Sequence, residues 1–299
     1  MRKYGHRIFA VVAGLTLMGQ AIAHDIWVEA NQSMLRIGES VSLSLMLGNH
    51  GNRHRDFRLA SKIQAGQQNL SVISPDGKSL DLTSNLIDNG YEPKEGFWGA
   101  TFQGDKAGIY QAVSTFDQVM SYAPVRDIKC AKTYFALTKT LDSPPKVDVG
   151  FQKPIGAPLE LVPVSNPLFE LGVGTSFSVK LLYKGNPLKD SVVSFIPKGV
   201  QLSGEIDSKF EAKTDEKGVA TVTLDQAGQW LIAAHVKDLT AAGAGYKSIG
   251  YSATIHLRVP NVCPCCVGEG ETILSELTFQ EQSEKFPNLG KEFQNIRFI

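Results

Sequence analysis

From residue 25 onward, hydrophobic and polar positions alternate in short runs and do not recur at helical spacing. Residues 25–30 set Ile26 and Val28 on one face and Asp25, Trp27 and Glu29 on the other, the period of a half-buried strand. Residues 40–47 repeat the pattern with Val41, Leu43, Leu45 and Leu47 turned inward. Residues 69–73 and 79–82 flank Pro75-Asp76-Gly77-Lys78, which predicts a hairpin. Further strands are predicted over 97–102, 108–116 and 132–137. A second series follows at 176–183, 191–197, 219–224 and 229–236. Its turns are Lys184-Gly185-Asn186-Pro187, Thr214-Asp215-Glu216-Lys217-Gly218 and Asp225-Gln226-Ala227-Gly228.

No long amphipathic helix breaks these series, so the fold class expected is all-β, with two β-sandwich domains. The first spans 24–142. The second, over 164–260, has the strand and turn order of immunoglobulin-like and prealbumin-like modules. Between them, 143–163 holds Pro144, Pro145, Pro154, Pro158 and Pro163 and reads as a stiff linker. Residues 261–299 form a cysteine-containing tail.

The first 23 residues stand apart from this pattern. Arg2, Lys3 and Arg7 precede an uncharged apolar run over 8–19, and Ala21-Ile22-Ala23 is a small-x-small cleavage pattern, so 1–23 reads as a cleaved signal peptide. The apolar run is shorter than the ~20 residues of a membrane span, and no cysteine beside it offers a lipid anchor. The expected location is periplasmic or secreted, with no stable membrane anchor. Cleavage would take the 30 basic residues to 27 against 30 acidic ones, a charge near −3, which argues against nucleic acid as a partner.

Cleavage after Ala23 would also make His24 the first residue, offering both an α-amine and an imidazole to a late divalent metal. The turn-rich stretch after residue 47 carries His50 and His54, four residues apart in a glycine-containing loop that leaves the second strand near the start of the first. His24, His50 and His54 are therefore the candidate metal ligands. The alternative is a solvated basic loop. His235 and His256 lie within strand patterns, where a histidine is more often hydrogen-bonded or at an edge than a ligand, and they are left out of the site. Cys263, Cys265 and Cys266 crowd into the tail; they suit a disulfide with Cys130, or zinc or copper(I). No nucleophile-base, phosphate-loop or paired-carboxylate motif stands out, and no catalytic residue is assigned.

Four segments carry a family resemblance: Ala23-His24-Asp25-Ile26-Trp27-Val28-Glu29, Cys130-Ala131-Lys132-Thr133, Leu159-Glu160-Leu161-Val162-Pro163 with Asn166-Pro167, and Gly185-Asn186-Pro187-Leu188. Together they resemble the periplasmic nickel/cobalt-uptake component family, exported proteins largely defined as a domain of unknown function. The resemblance implies two β-rich domains and a non-enzymatic role in binding nickel or cobalt, with copper or zinc also suited to the donors. The partners such a role calls for are the metal ion and either an inner-membrane metal permease or another soluble protein. The cysteine tail is not part of the family pattern. Two other readings remain open: a copper histidine-brace redox enzyme resembling lytic polysaccharide monooxygenases, and a purely structural module.

Overall fold

The computed structural model describes residues 24–48, 50, 63–64, 66–92, 95–141, 150–203 and 205–262. Seventeen strands are found among them: β1 Asp25–Ala30, β2 Met34–Arg36, β3 Ser40–Gly48, β4 Gln68–Ile73, β5 Ser79–Asp81, β6 Ile87–Glu92, β7 Glu95–Gln103, β8 Gly108–Val119 and β9 Val125–Thr138 in the first half. The second half has β10 Leu159–Pro163, β11 Ser176–Tyr183, β12 Asn186–Pro187, β13 Val192–Pro197, β14 Glu211–Lys213, β15 Val219–Thr223, β16 Gly228–Asp238 and β17 Ser248–Val259. The all-β sandwich expectation holds. Among the described residues no helix is long and apolar enough to cross a membrane.

Turn chemistry fixes several of these strands. Lys184 and Gly185 both have positive φ, 50° and 79°, at the centre of the turn between β11 and β12, the conformation of a tight type I′ hairpin. Gly77, at φ 81°, closes the β4–β5 hairpin.

Three sheets form two sandwiches. One small sheet runs β1-β3-β7-β6; another holds β10-β11-β12 with β15 paired to β11. The third is a nine-stranded sheet, β14-β13-β16-β17-β9-β8-β4-β5, with β2 paired to β9. It runs through both halves of the chain, because β17 pairs in parallel with β9 from Ser248↔Val125 to His256↔Thr133. Two cores lie on opposite faces of this shared sheet. Ala131, Phe135 and Leu137 of β9 join the core under the β1 sheet, with Val41, Leu43, Leu45 and Phe102. Tyr134 and Ala136, on the other face of β9, join Phe177, Phe195, Trp230 and Ile255 in the second core. β9 is thus covered on both faces, and its residues from Cys130 to Thr138 are all buried.

The stretch read as a linker, 143–163, ends in structure. β10 is buried throughout and pairs with β11, and Pro163 is tolerated because β10 lies at a sheet edge, where a missing N–H breaks no ladder. The relative placement of the halves is set by the continuous ladder between β9 and β17. Cys130 is buried and has no disulfide among the described residues, and burial pushes its thiol up to about 11. The tail cysteines and residues 1–23 lie outside the described residues.

Candidate metal centre

The polar face of β1 does not meet solvent. β1 lies at the edge of its own sheet, paired among the described residues with β3 alone, and its other face crosses the seam where β9 meets β17. Thr254 Oγ1 of β17 donates to the Ile26 carbonyl at 2.8 Å, and Lys129 Nζ of β9 donates to the His24 carbonyl at 3.3 Å. Asp25 Oδ1 meets His235 Nε2 of β16 at 2.8 Å. Trp27 is fully buried, so β1 is packed on both faces.

Three groups converge under this strand. Glu29 comes from β1, His50 from the turn just past β3, and His256 from β17; one donor atom of each lies within 4.8 Å of the other two. His50 is fully buried and His256 is 3% exposed. Their rings stand edge to face, centroids 5.6 Å apart, and Trp27 meets His50 the same way at 5.4 Å. His50 has φ 49°, a left-handed conformation that costs a non-glycine residue roughly 1–2 kcal/mol.

The hydrogen bonding of the cluster is incomplete in a specific way. Among the described residues neither ring nitrogen of His50 has a partner at full hydrogen-bond geometry, although the Ile196 backbone lies close enough to act on the ring, and His256 Nε2 has none. A buried imidazole nitrogen without a partner carries a desolvation penalty of roughly 1–3 kcal/mol. Glu29 is better served: Trp27 Nε1 donates to its Oε1 at 2.7 Å, and Gln229 Nε2 reaches its Oε2 at 3.5 Å.

Electrostatics leave both rings neutral. Burial, then the neighbouring His256 and Lys198, hold His50 down to about 3. Burial, then Lys198 and Arg258, hold His256 to about 3 as well. The 3.8 Å separation of His256 Nε2 from Glu29 Oε1 is therefore no ion pair, and it is too long for a hydrogen bond. Neutral imidazoles with bare nitrogens beside an oriented carboxylate are the form in which these residues ligate a metal, so the donor set fits a divalent transition ion.

Of the three histidines expected as ligands, the structure brings His50 into this cluster. His24 sits at the start of β1 with its carbonyl on Lys129, and its imidazole is not among the three converging groups. His54 lies outside the described residues. His256, set aside as a strand histidine, and Glu29, read as a solvent-side position, complete the cluster. A residue pattern could have flagged His256, since Thr254, His256 and Arg258 put polar groups on one face of a strand whose other face, Ala253, Ile255 and Leu257, is apolar.

Comparison with known proteins places the chain in a family. A family model described as "Domain of unknown function (DUF4198)" matches residues 21–238. The chain belongs to the DUF4198 family. The span matched in this DUF4198 chain contains Glu29, His50, Asp25 and His235 and stops before β17, so His256 is supplied from outside it. No curated protein matches the DUF4198 chain. Among solved structures it is similar to the D0-D1 domain of intimin at 14% identity, covering 78% of this chain and 97% of that one, with a TM-score of 0.21. It is similar to Salmonella alpha-2-macroglobulin at 13% identity, covering 78% of this chain and 14% of that one, TM-score 0.25. The Escherichia coli adhesin FdeC is similar at 16% identity, covering 76% and 63%, TM-score 0.21.

Proposed function

We propose that this protein binds a divalent transition metal of the nickel or cobalt type and buffers or delivers it for uptake, without catalysing a reaction. The observation that carries this reading is the convergence of Glu29, His50 and His256, with donor atoms within 4.8 Å and three imidazole nitrogens that lack a partner at full hydrogen-bond geometry among the described residues. Burying imidazole nitrogens without partners is costly unless something else uses their lone pairs, and a metal would do so. Two imidazoles and a carboxylate suit nickel, cobalt, copper or zinc; the preference for nickel or cobalt rests on the family resemblance in the sequence. In this reading the metal's next holder is an inner-membrane permease, and the protein acts in the periplasm.

Metal-free protein titrated calorimetrically with Ni²⁺ and Co²⁺ should bind one equivalent. His50→Ala and His256→Ala should each weaken binding at least tenfold while far-UV circular dichroism stays unchanged. Unaltered affinity in both variants would overturn the assignment.

A further inference from the structure

A cavity of about 150 Å³ shares Glu29 and His256 with the proposed metal centre and continues past them to Asn31, Thr133, Gln229 and Arg258. A buried water needs roughly a tenth of that space, so a molecule of several heavy atoms fits beside the donors. Arg258 follows His256 by two residues in β17, which sends both side chains from the same face of the sheet. The guanidinium is exposed and has no ion-pair partner among the described residues.

Charge decides what the cavity takes. Lys198 acts on both histidines and Arg258 on His256, whereas Glu29 is the single carboxylate among the donors. A bare dication held there would face two cationic side chains with one negative charge to offset them. Two imidazoles and one carboxylate also leave coordination positions open on a metal that prefers more than three ligands. A small anion with two or more oxygen donors answers both needs: it completes the metal's shell and supplies a carboxylate that matches the planar fork of Arg258.

We propose that the cavity beside Glu29 and His256 takes a small di- or hydroxy-carboxylate paired with Arg258, so that the metal is bound as an anionic chelate and not as the bare ion. This rests on the metal-binding reading above. Equilibrium dialysis of the metal-free full chain against radiolabelled Ni²⁺ and carbon-labelled malate tests it. The expected result is retention of both labels in equal amounts, with malate retained only when nickel is present, and at least tenfold weaker malate retention in Arg258→Gln with nickel still bound. Nickel retained without malate, or malate retained undiminished by Arg258→Gln, would overturn the chelate while leaving the metal site standing. Retention of neither label would remove the metal reading and the chelate with it.

Discussion

At the scale of single residues, two histidines set aside in the sequence have opposite settings in the structure. His256 is sealed in and neutral, whereas the side chain of His235 is 49% exposed and paired with Asp25 at 2.8 Å. The Asp25 carboxylate raises His235 above its ordinary value. Burial acts to raise Asp25, but His235 and Lys129 outweigh it and hold the carboxyl below the usual range. The signs give a window. A raised histidine contributes stability that is present below its unfolded value of about 6.5 and is lost as pH rises through its folded value. A lowered carboxyl contributes stability above its unfolded value of about 4 and loses it in acid. The pair therefore helps most between roughly pH 4 and 6.5, and solvent screening keeps the effect small. Histidine NMR titration should place the His235 midpoint above 6.5 and show it falling in Asp25→Asn; an unmoved midpoint would mean the contact carries no charge coupling. The sequence could not separate these two histidines. Both sit in strands with period-two neighbours, and only the position of β1, more than 200 residues earlier in the chain, decides which one meets water.

At the scale of elements, the strands easiest to read were those with one face on a core and one toward solvent. β3 and β11 show this: their alternation of buried and less buried positions is visible in the residue pattern, and the observed bounds nearly coincide with the expected ones. The residue pattern misses β10 and, although it gives the bounds of β1 as found, misreads that strand's polar face, for one reason. Each is buried on both sides, so its polar residues point into protein and mimic a solvent face or a loop. In β10 the disguise is Glu160, 1% exposed, whose carboxylate takes Lys132 Nζ at 2.5 Å and the backbone amides of Ile155, Gly156 and Ala157. Removing one partner of a buried ion pair typically costs 3–5 kcal/mol. Lys132→Met should fall within about that range in urea denaturation. Glu160→Ala should cost more, because it strands three amides as well as the ammonium. An equal or smaller loss in Glu160→Ala would show that the amides find water or other acceptors.

At the scale of the whole molecule, the composition of residues 143–163 suggested two sandwiches on a stiff tether, and the structure joins them through backbone hydrogen bonds. Nothing local announces this, since the β9–β17 pairing brings together strands more than a hundred residues apart. A shared sheet predicts shared unfolding. With Trp27 and Trp98 replaced by Phe, Trp230 reports on the second core alone, and its denaturation midpoint should coincide with that of far-UV circular dichroism for the whole chain. Two separated transitions would mean the ladder is too weak to couple the halves. The seam also governs when the protein can work. The bonds that dock β1 span 200 residues from Glu29 to Gln229, 210 from Asp25 to His235 and 228 from Ile26 to Thr254. Contacts of that reach form late and slowly, after shorter-range hairpins have closed. β1 can pair with β3 as soon as both are made, but its docking on β16 and β17 must wait for the last strand, and until then a nascent chain carries Glu29 and His50 without His256. On the metal-binding reading proposed above, the timing of synthesis would keep the pocket from trapping ions prematurely, because a truncated or half-made copy would lack part of the donor set.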